Sequence, residues 1–430
     1  MYIRHLRHVA PLATLAVLEA ALVPAAASAT PDHHPARHTV RPGQSIQAAV
    51  DAARPGDTVL VLPGVYRESV HITVSGLTLR GSGRATVLMP PGSGSGPGSD
   101  GRTGSDVRKD PDGSPGSGAR KESDSRKDSG TRKDSEARKE SGGRTGGAAA
   151  GTGRGTAATP RNGGGAKAKT CAAAGHGICV TGTERRPVDD VAIRTLTVSG
   201  FRGDGIRGNR TDRMSVHGVR AVHNGRHGIS QERSVRGDLR GNEARHNAES
   251  GIFLANMTDA EGGALDTRGA VIKSNKLSGN RIGVVLRRTR NLTVERNTVN
   301  DNCGGVFVVG DESTPRGGAL TITRNTVHHN NRHCPATARL PIIEGTGILL
   351  TGVEETRVTD NEVRGHTGSS PMSGGVVLFK SMTGAPNARN TVSGNEVRGN
   401  TPADLADQDR GPGNAFTGNR CDRSVPQGWC

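Results

Sequence analysis

The 430-residue sequence predicts an all-β protein folded as a parallel β-helix, on three observations. Hydrophobic residues are only 32% and aromatic residues 2% of the chain, but there are 63 glycines and 22 prolines, which favours many short strands separated by turns. A Gly-(Ile/Val) phrase recurs at a basic step of 22 or 23 residues with insertions, at Gly205, Gly228, Gly251, Gly283, Gly305, Gly347 and Gly375. Asparagines five positions apart recur with it, at Asn242 and Asn247, Asn275 and Asn280, Asn297 and Asn302, Asn325 and Asn330, and Asn395 and Asn400.

One repeat unit, residues 292–308, contains three strands of two to four residues split by Asn and Gly turns. This is the geometry of one coil of a parallel β-helix, in which units stack because none can bury its inner side chains alone. Stacked asparagines can then hydrogen-bond to the asparagines above and below. A propeller would repeat at about 40 to 45 residues, and the leucine pattern of a leucine-rich repeat is absent. We expect roughly ten to twelve coils.

The first 29 residues have the pattern of a signal peptide. Arg4 and Arg7 precede an apolar stretch, and Ala27-Ser28-Ala29 forms a small-x-small cleavage site. This pattern predicts a secreted protein whose mature chain begins with a flexible segment over residues 30–40. No later run approaches about 18 apolar residues, so we expect no membrane span.

The six cysteines form three pairs that are local in sequence: Cys171 and Cys179, Cys303 and Cys334, and Cys421 and Cys430. Fifteen pairings are possible, and locality in an exported chain favours these three disulfides. Free structural thiols are the alternative. A zinc site is disfavoured because no Cys-x-x-Cys pair occurs.

Residues 41–90 are expected to form the N-terminal cap and first coils. A short amphipathic helix is predicted over residues 44–53, because small and apolar residues recur there at helical spacing. Strands are expected at 58–62, 70–74 and 77–81, each rich in β-branched and leucine residues and bounded by turn residues.

Residues 91–170 are rich in Gly and Ser and carry paired basic and acidic residues with almost no large apolar side chain. This composition predicts a disordered insertion. Basic runs can bind nucleic acid, but alternating charge signs favour a solvated spacer without a nucleic-acid partner. Residues 171–430 are expected to form the main β-helix.

The phrase that begins at Ser45 and continues through Gly56-Asp57-Thr58-Val59 to Pro63-Gly64-Val65-Tyr66 resembles the pectate-lyase-like right-handed parallel β-helix proteins of bacteria. The resemblance covers residues 41–90 and 171–430. It implies a right-handed coil with a helical N-terminal cap and a polysaccharide as partner. The family includes lyases, epimerases, glycoside hydrolases and adhesins, so the resemblance does not fix a reaction.

Two Gly-His-Gly lookalikes, at His176 and His227, resemble a polygalacturonase motif in which the histidine supports a carboxylate trio. The remaining parts of that motif are absent, since the chain has no Asn-x-Asp and no Arg-x-Lys. Both histidines occupy the variable position of the coil phrase, where Asp204 and Ser250 stand in other coils. We interpret them as ordinary repeat positions, and no complete catalytic signature is found.

Carboxylates follow several of the Gly-(Ile/Val) strands, and stacked coils place equivalent loops on one edge. Candidates for acid–base groups or calcium ligands are therefore Asp259, Glu261, Asp311 and Glu312. Solvated loop carboxylates are the alternative. No cofactor is expected with certainty, calcium is possible, and no metal ligand set is assigned.

Alternation along the Gly-(Ile/Val) strands sends a column of apolar residues outward. A column of this kind predicts a cover or a ligand-binding face. Phe253 and Phe307 lie in it and could stack on sugars, while Arg287, Arg288 and Lys380 just past the strand form a basic edge suited to acidic sugars. A dimer contact, or a segment of the chain folded over the column, would also explain it.

These observations predict a secreted protein that binds or modifies an acidic extracellular polysaccharide, of lyase, epimerase or hydrolase type if it is an enzyme. A non-catalytic adhesin or surface scaffold is the first alternative, and a periplasmic-type maturation factor for a metalloenzyme is the second. The sequence leaves the sugar, the bond and the oligomeric state open.

Overall fold

The structure, a computed structural model, describes residues 34–92, 170–256, 262–337 and 340–430. Short strands in these ranges stack in parallel into three long sheets, A, B and C, of twelve, ten and eleven strands. The chain passes from A to B to C and back to A in each coil, as the sequence predicted for a parallel β-helix.

Sheet A contains the strands Arg37–Val40, Thr58–Val61, Thr78–Gly81, Ala192–Arg194, Ser215–His217, Asp238–Arg240, Leu265–Lys273, Thr289–Glu295, Thr321–Thr323, Arg357–Thr359, Thr391–Ser393 and Ala415–Thr417. Sheet B contains Gly64–Arg67, Thr86–Met89, Thr197–Ser199, Arg220–Val222, Glu243–Arg245, Lys276–Ser278, Thr298–Asn300, Thr326–His328, Glu362–Arg364 and Glu396–Arg398. Sheet C contains Val70–Ile72, Ile178–Thr181, Ile206–Asn209, Ile229–Glu232, Ser250–Ala255, Ile282–Arg287, Gly304–Val309, Thr346–Thr351, Gly374–Phe379, Leu405–Asp407 and Ser424–Val425. A small extra pair joins Val188–Asp189 to Thr211–Asp212.

The interior of the coil is filled by columns of aliphatic side chains. The inward residues of the Gly-(Ile/Val) phrase are all fully buried, namely Ile178, Ile206, Ile229, Ile252, Val284, Val306, Ile348 and Val376. Each glycine before them is needed, because the coils approach closely; a Cβ on Gly305 would lie 2.3 Å from the carbonyl oxygen of Gly347. Stacking thus buries side chains that a single coil would leave exposed.

Two ladders of buried asparagines hold the turns, as the five-residue Asn spacing predicted. One runs between sheets A and B and the other between sheets B and C. Their members are Asn242, Asn275, Asn297, Asn325, Asn361, Asn395 and Asn419 in the first, and Asn224, Asn247, Asn280, Asn302, Asn330, His366 and Asn400 in the second.

A helix at Ile46–Ala52 caps the N-terminal end of the coil, close to the predicted bounds. It begins at Ser45, whose side chain accepts a hydrogen bond from the backbone N–H of Ala48 at 3.2 Å. Ile46 and Val50 are buried against the first coils. The expected flexible segment over residues 30–40 is wrong for its last part, because Arg37–Val40 pairs in parallel with Thr58–Val61 as the first strand of sheet A. The predicted signal peptide lies outside the described residues.

All three predicted disulfides are formed: Cys171–Cys179, Cys303–Cys334 and Cys421–Cys430. Disulfides of this kind are typical of oxidising, extracytoplasmic compartments. Nearly all of the predicted insertion, residues 93–169, lies outside the described residues. The sheets continue in register across it, since Val70–Ile72 pairs directly with the strand that begins at Ile178.

Candidate functional site

The outer face of sheet C divides into a polar half and an apolar half. At one outward position, the first three residues are a half-cystine, an arginine and a serine, and the five that follow are apolar. In coil order they are Cys179, Arg207, Ser230, Phe253, Val285, Phe307, Leu349 and Val377. The column two positions before the inward residue carries ionisable side chains only in its first three coils, in the order His176, Asp204, His227, Ser250, Ile282, Gly304, Thr346 and Gly374.

The apolar half is covered by the chain itself. Phe307 and Leu349 are 3% and 1% exposed, and they pack with Ile343, Met372 and the Cys303–Cys334 disulfide. The exposed binding face that the sequence suggested is therefore buried there, and a covering segment is the alternative that the structure shows. Phe307 belongs to this packed cluster and not to an open edge.

The described part of the cover consists of two insertions that follow sheet B strands, residues 331–337 together with 340–345, and residues 367–373. Cys334 and Ile343 exchange backbone hydrogen bonds of 3.0 and 3.1 Å within the first insertion. Glu344 then accepts hydrogen bonds from the backbone N–H and the hydroxyl of Ser369, at 3.1 and 2.9 Å, which ties the two insertions together. Gly304 leaves room for the Phe307 ring beneath these insertions, because a Cβ at this position would lie 2.5 Å from that ring.

The polar half is organised around Asp204, which is fully buried. Its Oδ2 accepts hydrogen bonds from Ser230 Oγ at 2.8 Å and from Arg207 Nη1 at 3.4 Å, and its Oδ1 accepts one from the backbone N–H of His227 at 3.3 Å. Arg207 also donates to Glu232, with Nη2 2.7 Å from Oε2. The arginine therefore bridges carboxylates of two neighbouring coils.

Two histidines flank Asp204, one in each neighbouring coil. His176 Nδ1 accepts a hydrogen bond from the backbone N–H of Asp204 at 2.8 Å, so the proton of the neutral ring is on Nε2. His227 Nδ1 lies 2.7 Å from Ser250 Oγ. Its Nε2 is buried 3.2 Å from Glu249 Oε2, without an aligned hydrogen bond among the described residues. The two rings therefore lie two strands apart on either side of Asp204, His176 with a proton on Nε2 and His227 with an Nε2 that has no aligned partner.

Burial decides the protonation of this cluster. It lowers the pKa of His227 to about 4, against the opposing pull of Asp204, and it also lowers the pKa of His176. Both rings are therefore neutral at pH 7. Burial alone would raise the pKa of Asp204, but the charges of His227, His176, Arg226 and Arg207 outweigh it and lower that pKa.

The cluster opens to solvent on one side. Arg207 and Arg226 expose 20% and 40% of their side chains, and Glu249 exposes 50%. Phe253 closes the opposite side, because its ring stacks on His227 with centroids 4.3 Å apart. A ligand could thus reach the cluster past a rim of two arginines and one carboxylate.

The loop carboxylates that the sequence suggested as acid–base groups lie elsewhere. Asp311 is buried and pairs with Arg288, and it accepts a further hydrogen bond from the backbone N–H of Ser313 at 3.1 Å. Glu312 is exposed. Asp259 and Glu261 lie outside the described residues. The structure therefore brings one catalytic candidate, Asp311, and one binding candidate, Arg288, together as an ion pair.

The other members of the predicted basic edge lie along the end of sheet C. Arg287 ends its strand, and Lys380 follows the strand Gly374–Phe379 and is exposed. Arg288 and Lys380 occupy equivalent positions in their coils, with Arg287 one residue earlier. Binding of an acidic polysaccharide by Arg287, Arg288 and Lys380 stays a prediction.

In the described part of the chain, no three His, Cys, Asp or Glu side chains come together in a way that could hold a metal ion. The possible calcium ion therefore has no ligand set there. No helix in the described ranges is long and apolar enough to cross a membrane.

Sheet topology and outer-face chemistry define a parallel β-helix protein with a polar cluster on one sheet. A family model for the right-handed β-helix region matches residues 256–402, in agreement with the observed coil. A search of curated proteins gives no match.

Among solved structures, the chain is similar to the A-module of the Azotobacter vinelandii mannuronan C-5 epimerase AlgE6, at 15% identity and a TM-score of 0.47 over 88% of this chain and 93% of that chain. It is similar to an alginate lyase from Paenibacillus sp. str. FPU-7 at 13% identity, with a TM-score of 0.36 over 90% and 99% of the two chains. It is also similar to the periplasmic alginate epimerase AlgG, at 18% identity and a TM-score of 0.43 over 57% and 55%.

Proposed function

We propose that the protein is a secreted enzyme that modifies an acidic polysaccharide by acid–base chemistry at the polar cluster of sheet C. The observation that supports this most is that His176, Asp204 and His227 are buried beside one another on one outer face, where Arg207 joins Asp204 to Glu232. Desolvating so many ionisable groups costs stability, and such clusters concentrate at functional sites. The resemblance noted for the sequence implies a polysaccharide substrate.

The reaction that suits these groups is proton transfer at the sugar carbon that bears a carboxylate. His227 would take the proton and His176, which carries its proton on Nε2, would supply one. The electron pair left on carbon would be delocalised into the substrate carboxylate, which Arg226 and Arg207 at the rim would neutralise. Return of a proton to the opposite face gives epimerisation. Departure of the protonated glycosidic oxygen from the adjacent carbon gives an unsaturated sugar.

Hydrolysis by a pair of carboxyl groups fits less well. A glycosidase needs one carboxyl group that stays protonated, and therefore one with a raised pKa. The pKa of Asp204 is shifted in the opposite direction, and both its oxygens already accept hydrogen bonds. We therefore assign Asp204 to positioning the histidines and Arg207.

The low pKa of His227 belongs to the protein without substrate. A substrate carboxylate near the ring would favour the protonated form and raise that pKa, as Asp204 already does in part. The ring would then become a better base as substrate binds. We expect activity to fall on the acid side, because protonated His227 cannot take a second proton.

A non-catalytic scaffold is the second candidate. It is favoured by the closed ion pairs of the loop carboxylates, since Asp311 pairs with Arg288 while Glu354 pairs with Arg290 and Arg389. In that case the polar cluster would only join neighbouring coils.

The test is incubation of the purified full chain with polyuronates and with a neutral polysaccharide, following ultraviolet absorbance of unsaturated sugar and reducing ends in parallel. A lyase raises both together, a hydrolase raises reducing ends alone, and an epimerase raises neither but changes the ratio of the two uronate epimers, which proton NMR of the polymer measures. We expect turnover of a polyuronate, which His227→Gln lowers by about a hundredfold or more. Asp360→Asn, an exposed turn residue, is the control for a substitution away from the cluster. Equal turnover by His227→Gln and wild type would contradict the assignment.

A further inference from the structure

A second charged surface lies on sheet A, on a different face from the acid–base cluster. Five consecutive coils place a basic or histidine side chain at the same outward position. In parallel register these are Arg80, Arg194, His217, Arg240 and Lys273. Neighbouring strands are about 4.8 Å apart, so the cations follow one another at that spacing along the coil axis.

The positive charge is concentrated at the N-terminal end of this row. Lys273 Nζ lies 2.6 Å from Glu295 Oε1, and Asp238 pairs with both His217 and Arg240, so the later members are neutralised. Arg80 and Arg194 are exposed and form no ion pair within the described ranges.

Arg37 strengthens the same end. It lies on the first strand of sheet A. The register aligns it with Thr58 and Thr78, two positions before Arg80. It is also exposed and makes no ion pair with a described residue. Three unneutralised guanidinium groups on one small surface repel one another, which an anionic ligand would relieve.

A shallow groove runs between these arginines. Its lining, besides the arginines and His217, consists of small, hydroxyl-bearing and aliphatic residues: Thr58, Leu60, Thr78, Gly81, Ser82, Gly83, Thr195 and Gly218. The groove therefore offers hydroxyl groups between regularly spaced cations.

We propose that this groove binds a linear acidic polysaccharide that lies along the coil axis across sheet A. Guanidinium groups match carboxylate and sulfate oxygens through paired hydrogen bonds, and the threonine and serine hydroxyls suit sugar hydroxyls. Single-stranded nucleic acid is disfavoured because its sites stack bases on aromatic rings, and the groove lining contains none apart from His217. The proposal rests on the proposed function only for the class of ligand, because the groove lies apart from the sheet C cluster.

The test compares two double variants of the full chain. Arg80→Ala with Arg194→Ala removes the centre of the groove, whereas Arg357→Ala with Arg420→Ala removes two exposed arginines near the C-terminal end of the coil. Affinity for fluorescently labelled polygalacturonate is measured over a range of salt concentrations, with dextran, dextran sulfate and single-stranded DNA as further probes.

We expect the first pair to raise the Kd for polygalacturonate at least about tenfold and to flatten its salt dependence, and the control pair to change Kd less than about twofold. Dextran should not bind. Dextran sulfate bound as tightly as polygalacturonate would show that the groove selects charge and chain shape, which supports the proposal. Equal losses in the two double variants would overturn it, and so would DNA binding that exceeds polygalacturonate binding and is lost with Arg80 and Arg194.

Measurements on the same variants distinguish this proposal from the proposed function. Turnover of short oligouronates by Arg80→Ala with Arg194→Ala should match wild type, because these arginines lie away from the cluster. Turnover lost in His227→Gln but kept in the arginine variant supports the cluster alone. Binding lost in the arginine variant, in a protein that turns over no uronate, supports the groove and overturns the proposed reaction.

Discussion

The side-chain amide of Asn280 makes four hydrogen bonds although the residue is fully buried. Its Nδ2 donates to Ala244 O and to Asn302 Oδ1, at 3.0 and 3.1 Å, and its Oδ1 accepts from the backbone and side-chain N–H groups of Asn247, both at 3.0 Å. One residue therefore satisfies groups in the two coils on either side of its own, which explains why asparagine recurs at this turn.

Replacing Asn280 with alanine should lower the free energy of unfolding by about 3 kcal/mol, because buried donors and acceptors in two neighbouring coils lose their partners. Urea denaturation followed by circular dichroism measures the change. Asn300→Ala, at a partly exposed position one coil later, is the matched control and should cost much less. Similar losses in the two variants would show that the ladder contributes little.

His366 replaces asparagine in the same ladder and makes the fold sensitive to acid. Asn330 Nδ2 faces its Nε2 at 3.1 Å, so Nε2 must accept, and Nδ1 donates to Asn400 Oδ1 at 2.8 Å. Burial lowers the pKa of His366 to about 4 from an ordinary 6.5. The unfolded chain therefore binds a proton first as pH falls. The stability that neutral His366 contributes is present in full above pH 6.5 and is lost as pH falls toward 4.

Through His366, the wild-type free energy of unfolding should fall by about 2 kcal/mol between pH 7 and pH 5. We expect this part of the fall to be absent in His366→Asn. The free energy of unfolding at several pH values, from urea titrations, gives the slope. The exposed His329→Asn is the control for loss of one histidine. A wild-type slope in His366→Asn would contradict the assignment.

At the scale of elements, the cover over sheet C depends on the Cys303–Cys334 disulfide. This bond ties the insertion 331–345 to the start of the strand Gly304–Val309, over Phe307 and Leu349. A cross-link that closes a loop of this length contributes about 4 kcal/mol. Without it, the insertion is held on the coil by the packing of Ile343 and by hydrogen bonds such as those from Arg281 to Pro335 O and from Asn331 to Gly365 O.

The double variant Cys303→Ser with Cys334→Ser should expose the apolar column without unfolding the coil. We expect faster hydrogen exchange in residues 331–345 and stronger binding of a hydrophobic dye, with strand protection retained elsewhere. Cys421→Ser with Cys430→Ser is the control, since that bond lies at the C-terminal end. Unchanged exchange in the insertion would show that packing alone holds the cover.

The repeat let the sequence predict the sheets, because aligning the Gly-(Ile/Val) phrases gives the register that the strands adopt. The same alignment places His176, Asp204 and His227 in one column, so the cluster was available to sequence reasoning. That column was interpreted as ordinary repeat positions, because the repeat alone does not show that these side chains are buried together around one carboxylate. The cover could not be predicted, since its insertions break the repeat and their path depends on contacts such as Glu344 with Ser369.

At the scale of the molecule, the coil is continuous across residues 93–169. Thr78–Gly81 pairs with Ala192–Arg194, and Thr197 and Val198 pair with Val87 and Leu88, so all three sheets join directly. Residues 93–169 connect two neighbouring coils, and the length of such a connection adds little to its closure cost.

Deleting residues 93–168 should therefore change the Tm by no more than about 3 °C, which is the shift that a small difference in the free energy of unfolding produces. Differential scanning calorimetry of the purified deletion variant measures it, with circular dichroism to confirm the β-sheet content. A large fall in Tm would show that the deleted residues stabilise the coil.

The central claim, that the sheet C cluster moves protons to and from an acidic sugar, is tested most directly by hydrogen exchange at the substrate. The full chain is incubated with a polyuronate in D2O, and the carbon that bears the carboxylate is followed by NMR. The account predicts that wild type replaces or removes that hydrogen and that Asp204→Asn does so at least about a hundredfold more slowly. A wild-type protein that binds the polymer but leaves every such hydrogen in place would contradict it.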